Sequence, residues 1–101
     1  MTLFSLGDCP VCADSGAVLV VRSLDSGRLC FFCPLCGIAW ADPPPLGVLD
    51  HVHSLDDLAP SGISLPTRTD LGSLARNPSL REERYETWRA ELERVSGRPL
   101  L

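Results

Sequence analysis

No lysine and no glutamine occurs anywhere in the 101 residues, so all nine cationic side chains are arginines. This usage points to a GC-rich bacterial genome. No apolar run approaches the ~20 residues that a membrane-spanning helix needs. Met1 to Gly7 carries no basic residue and is too short for a secretory leader, so a cytoplasmic, reducing location is expected. Aromatic residues are scarce, at 6%, and a chain of this length can build only one small core. The cysteine count is five, an odd number that argues against a secreted disulfide framework. There is no nucleophile motif, no glycine-rich phosphate loop and no carboxylate pair on a firm framework, so an enzyme is not expected.

A basic footprint is also missing. The formal net charge is -4. Residues 1–45 hold two Arg and four Asp, residues 46–70 one Arg and four Asp, and residues 71–101 six Arg and five Glu, giving -2, -3 and +1. The N-terminal half is therefore acidic, the opposite of what a phosphate backbone attracts, and nucleic acid is an unlikely partner.

What is present is a pair of short cysteine motifs, Cys9-Pro10-Val11-Cys12 and Cys33-Pro34-Leu35-Cys36-Gly37, with twenty residues between Cys12 and Cys33. Two thiolates three residues apart on a tight turn can grip one side of a metal ion, and a second pair completes a tetrahedron. Cys9, Cys12, Cys33 and Cys36 are thus candidate ligands of one structural Zn²⁺. Such a site is closed, with no position left for water or substrate, and zinc has no redox chemistry. Binding strips the thiol protons and adds about two more negative charges. The fifth cysteine offers a rival register, Cys30-Phe31-Phe32-Cys33. Pro34 and Gly37 favour Cys33 with Cys36, and Cys30 reads as a small buried apolar residue.

Between the motifs, residues 17–24 are apolar and β-branched, Asp25-Ser26-Gly27 is a turn, and residues 28–32 form a second strand. This hairpin carries the second motif back beside the first. Residues 38–41 are a third strand, and Gly37 suits a left-handed turn that aims backbone N–H groups at thiolate sulfurs. On these motifs, residues 9–42 resemble a zinc ribbon, a family of small β-hairpin modules that hold one zinc between two knuckles. The resemblance spans roughly a third of the chain. It implies a metal-stabilised fold, and it is compatible with transcription factors, ribosomal proteins, enzyme lids and protein-interaction adaptors. The first knuckle departs from the pattern, with its glycine delayed to Gly16. The second knuckle is also similar to that of rubredoxin, an acidic iron electron carrier, but the loop between the knuckles is shorter here.

Asp42-Pro43-Pro44-Pro45 ends the ribbon. The expected organisation is a zinc ribbon over 1–42, a Pro-rich irregular segment over 43–66 and a helical tail over 67–101, a small metal-stabilised α+β fold. Residues 46–52 suggest another strand. Ser54 caps one helical turn with acids at its start, and residues 67–75 form a short helix. Ser79-Leu80-Arg81-Glu82 reads as a capping box that opens an amphipathic helix from Ser79 to about Val95. Tyr85, Trp88, Leu92 and Val95 line its apolar face. This face either completes the core or docks on another protein. His51 and His53 are read as the polar edge of a strand, because no third ligand lies at a recognisable spacing.

The expected function is a non-catalytic, zinc-binding adaptor, accessory subunit or immunity-like or antitoxin-like inhibitor. It would work by protein–protein binding, with its partner met through Tyr85, Trp88, Leu92 and Val95. A nucleic-acid- or transcription-associated regulator is the alternative, supported by the six tail arginines and opposed by the five glutamates among them.

Overall fold

The run Ala17 to Val21 is apolar at every position because both of its sides are buried. In the computed structural model, which describes residues 2–9, 16–35, 37–41 and 53–96, it forms most of β2 (Ala17–Ser23) near the middle of an antiparallel sheet. Around it lie β1 (Thr2–Asp8), β3 (Leu29–Phe32), β4 (Ile38–Trp40), β5 (His53–Ser54), β6 (Ile63–Ser64) and β7 (Arg81–Arg84). The order is β5-β4-β3-β2-β1-β7, with β6 paired to the far end of β2. The helices are α1 (Leu55–Leu58), α2 (Arg68–Leu71), which runs into a 3₁₀ segment Gly72–Arg76, and α3 (Tyr85–Ser96).

Side chains alternate across the sheet and build two cores. On one face Leu3, Leu19, Val21, Cys30, Phe32 and Ala39 pack with Leu55 and Ala59 around α1 and with Tyr85 and Leu92 of α3. On the other, Phe4, Val18, Val20, Phe31 and Trp40 pack with Leu71 and Leu74 of α2 and the 3₁₀ segment. The molecule is a small α+β fold with an antiparallel sheet and a C-terminal helix.

The expected hairpin is present, with Gly27 at φ +73° in its turn and register Leu19–Phe32, Val20–Phe31 and Val21–Cys30. β4 follows in register, Phe31 facing Trp40. Both short helices are capped by a reciprocal box, at Ser54 as expected and also at Thr67. Ser54 and Asp57 close α1, and Thr67 and Asp70 close α2.

Three features differ from the sequence reading. The first is β1, where no strand is expected. Leu3, Phe4 and Ser5 are all buried, because β1 is flanked by β2 and β7 and covered on both sides, so no apolar–polar alternation betrays it. The second is the start of the C-terminal helix. Arg81–Arg84 is a strand, paired with β1 from Ser5–Arg81 to Thr2–Arg84, and α3 begins only at Tyr85. The local capping signal at Ser79 loses to the open edge of β1, which offers Arg81–Arg84 a row of backbone partners. Ser5 Oγ donates to Glu83 Oε1 across this pair at 3.0 Å.

The third concerns the apolar face of α3, read as either completing the core or docking on a partner and assigned to the partner in the functional expectation. Tyr85 and Leu92 are buried in the protein's own core, and Trp88 is partly buried against it. The side chain of Val95 lies outside the described residues, as does the strand expected over residues 46–52.

Strands from all three expected segments share one sheet. Residues 58–62 are also latched onto the hairpin turn. Leu24 N–H donates to the Gly62 carbonyl at 3.0 Å, Ser23 Oγ donates to the Leu58 carbonyl at 3.1 Å, and the Ser61 N–H and hydroxyl both donate to the Asp25 carboxylate, at 2.9 and 2.6 Å. Arg68 of α2 ion-pairs with Glu82 of β7 while its guanidinium lies 5.3 Å above the Phe4 ring.

Burial of Leu92 makes a direct prediction. Leu92→Ala removes a fully buried side chain and should cost about 2–5 kcal/mol in urea unfolding of the isolated chain. The half-buried Trp88, cut to Ala, should cost less. An unchanged midpoint for Leu92→Ala would show that α3 does not belong to the core.

Candidate metal centre

Cys9 follows directly on β1 and Cys33 directly on β3. The β1–β2 and β3–β4 connections leave the same end of the sheet, and the β2–β3 turn lies at the other. Matching bonds close the two loops: Cys9 N–H donates to the Gly16 carbonyl and Cys33 N–H to the Ile38 carbonyl, both at 3.0 Å. Both cysteines are buried, 1% and 0% exposed, and both belong to the cluster that holds Phe4, Val18, Val20 and Phe31.

Cys9 reaches that face only because the β1–β2 register slips. Ser5 faces Leu19, yet Asp8 faces Ala17, so three steps along β1 match two along β2. The extra residue is a β-bulge at Leu6-Gly7, with Gly7 at φ +95°. Phe4 faces Val20, and with strict alternation the odd-numbered residues of β1 would all lie on the Leu3 side. Cys9 would then fall on the face of Leu19 and Phe32, opposite to Cys33. One inserted residue reverses the parity and puts the two thiols on one side.

The same alternation removes Cys30 from the group. It pairs with Val21 and is buried in the opposite core, beneath α3. Burial pushes its thiol pKa up, only partly offset by a backbone hydrogen bond, so it stays protonated and acts as a small apolar filler.

In the second knuckle, Gly37 takes φ +79°, the left-handed turn expected after the last cysteine. Its N–H donates to the Cys33 carbonyl at 2.9 Å, so this group closes the turn rather than being reserved for a sulfur. A Cβ there would meet nothing within 4 Å; the demand for glycine is conformational, not steric. From the helical side, Arg94 of α3 donates to the Pro34 carbonyl at 3.0 Å, tying the end of that helix to the knuckle.

Among the described residues, one buried polar side-chain atom on this face lacks a partner. The indole N–H of Trp40 is buried and makes no hydrogen bond, a rare and costly state for a donor. Trp40 faces Phe31, and Cys33 lies two residues beyond Phe31 in the same cluster, a diagonal that a long aromatic side chain can span. A metal-bound thiolate is an anionic acceptor that would satisfy this donor, whereas a protonated thiol is a weak one.

Among the described residues, no three His, Cys, Asp or Glu side chains form a group that could hold a metal ion. Two of the four expected ligands, Cys12 and Cys36, lie outside those residues, as does His51. His53 pairs with Ala39 in β5, but its side chain is likewise outside them. The part of the donor set that is described fits a thiolate-bound metal: two buried thiols, one face, one end of the sheet, and an unsatisfied donor nearby. The β-bulge escaped the sequence reading, although Gly7 two residues before Cys9 is its signal.

No family model, no curated protein and no solved structure matches the chain.

Two predictions follow from the bulge and the face assignments. Cys33→Ser should abolish stoichiometric zinc binding, measured by metal analysis after gel filtration, whereas Cys30→Ser should retain it. Gly7→Ala, which forces a side chain into a positive-φ position at a cost of about 1–2 kcal/mol, should weaken zinc roughly tenfold in chelator competition. Loss of zinc in Cys30→Ser with retention in Cys33→Ser would invert the assignment.

Proposed function

We propose that the chain is a non-catalytic, zinc-ribbon-like module that acts by binding another protein, as an adaptor, an accessory subunit or an inhibitor. Cys9, Cys12, Cys33 and Cys36 would hold one structural zinc. The observation that carries the metal reading is the register slip in β1. A bulge with a left-handed glycine is a local cost, and its consequence here is to bring Cys9 onto the face of Cys33. Soft thiolate donors favour zinc among the common divalent ions, and a site closed by four cysteines leaves no position for a substrate.

The protein-binding part of the reading rests on charge. A net charge of -4, before any thiolate is counted, disfavours a phosphate backbone and suits a partner with a basic or mixed surface. Three of the six tail arginines are engaged within the protein: Arg81 pairs with Asp8 and Glu83, Arg89 with Glu93, and Arg94 with the Pro34 carbonyl. No helix among the described residues is long and apolar enough to cross a membrane. Tyr85 and Leu92 are buried in the core, so these two residues of the α3 face do not meet a partner.

Affinity capture from the native host at moderate salt, with and without nuclease, tests the reading. A single stoichiometric protein that survives nuclease is expected. A set of nucleoprotein components that vanishes with nuclease would overturn it.

A further inference from the structure

A groove of about 720 Å³ lies between the 3₁₀ segment and the β2–β3 turn, on the sheet face that carries Phe31. Its floor is apolar. Phe31 and Leu71 are 3% exposed and Leu74 8%, with Leu29 half-buried beside them. Its rim is polar, and two guanidiniums stand on it, Arg28 from the hairpin turn and Arg76 from the end of the 3₁₀ segment.

These two arginines differ from most others in the fold. Arg22, Arg68, Arg81 and Arg89 each meet a carboxylate, and Arg94 meets a backbone carbonyl. Arg28 and Arg76 are exposed and make neither an ion pair nor a side-chain hydrogen bond among the described residues. The acid on the groove wall, Asp70, is already committed. It accepts from the Thr67 N–H at 2.8 Å and from its hydroxyl at 3.0 Å, and it lies 3.8 Å from Arg22. Those bonds hold its carboxyl below the usual range, so it stays ionised and held within its own cap. An acidic chain has thus left two cations unanswered on either side of an apolar floor.

We infer that this groove binds a short partner segment in which apolar side chains are flanked by carboxylates, with Arg28 and Arg76 gripping the acids and the half-buried Leu29 and exposed Ala41 and Pro78, above the buried Phe31, Leu71 and Leu74, receiving the apolar groups. The inference rests on the protein-binding reading and gives it a location; it does not depend on the metal. Arg is suited to this task because its planar fork takes a carboxylate through two parallel bonds. The volume lies within the range of pockets that hold ligands of a few residues. A nucleic-acid strand is a poorer match. The groove lining exposes no aromatic ring on which bases could stack, Phe31 being buried.

The test is an ¹⁵N NMR titration of the full chain with the capped peptide Asp-Leu-Glu-Leu-Asp. The expected result is shifts confined to the amides of Leu29, Phe31, Leu71, Leu74 and Asn77, and an affinity about tenfold weaker in the double variant R28A/R76A. Both substitutions are at exposed sites and should leave the spectrum otherwise unchanged. Absence of shifts at millimolar peptide would overturn the inference, as would equal binding of the peptide with its acids replaced by amides. Equal or stronger shifts from a twelve-nucleotide oligo-dT would overturn it in favour of a phosphate ligand. If host capture yields a nuclease-resistant partner that binds R28A/R76A as tightly as the wild type, the groove assignment falls and the adaptor reading stands.

Discussion

The parity of strand pairing governs this small protein. In a sheet covered on both faces, each residue belongs to one of two cores, and a shift of one position exchanges them. β2 is apolar on both sides, so hydrophobicity alone does not tell its neighbours which way to face. The register must be set by the turns and by the bulge. The β2–β3 turn fixes Cys30 in the core under α3 and Cys33 in the other. The slip at Leu6-Gly7 then gives Cys9 the same side as Cys33. A metal site that recruits cysteines from strands on either side of β2 is possible only when both decisions agree.

The C-terminal third of the chain shows tertiary demand overriding local preference. Ser79-Leu80-Arg81-Glu82 has the side chains of a helix start, yet Arg81–Arg84 completes the sheet instead. Without that strand, β1 would be an edge with buried Leu3 and Phe4 beside it and a row of unpaired backbone groups exposed. With it, the edge becomes the fully charged strand Arg81-Glu82-Glu83-Arg84, a sequence that resists pairing with another chain. The exchange also sets the helix. Starting at Tyr85 rather than Ser79, α3 lays Tyr85 and Leu92 on the core formed by Leu3, Leu19 and Phe32, so the amphipathic face is spent inside the molecule.

Legibility from sequence followed the range of the interaction. The hairpin, its glycine turn, the strand after Gly37, the cap at Ser54 and the short helix from Thr67 were readable, because each is specified by residues within a few positions of one another. The choice of Cys33 and Cys36 over Cys30 rested on Pro34 and Gly37, and the opposite-face position of Cys30 is the geometry such a choice requires. β1 and β7 were not readable: one is buried on both sides and has no alternation, and the other is polar and becomes a strand only through its partner. The bulge fell between these cases. Gly7 marks it, but its effect on Cys9 emerges only when the residues of β1 and β2 are counted against each other.

The two ends of the sheet are held by different chemistry, and the difference explains why the middle segment cannot be a passive linker. At the hairpin-turn end, Ser23 and Asp25 bind residues 58–62 through hydroxyl, carboxylate and backbone groups, all satisfied within the protein. At the knuckle end lie two buried thiols, and the same sheet face holds the Trp40 indole N–H, which has no acceptor among the described residues. A core of this size gains little from apolar burial beyond what ordering the chain costs, and an unsatisfied donor makes that balance worse. The polar latch at one end is complete in itself, while the face of the two thiols carries an unused donor. A thiolate-bound ion, as proposed, would fix β1 against β3 across the end of β2, and the register slip that puts Cys9 on the face of Cys33 is the arrangement such a constraint would require.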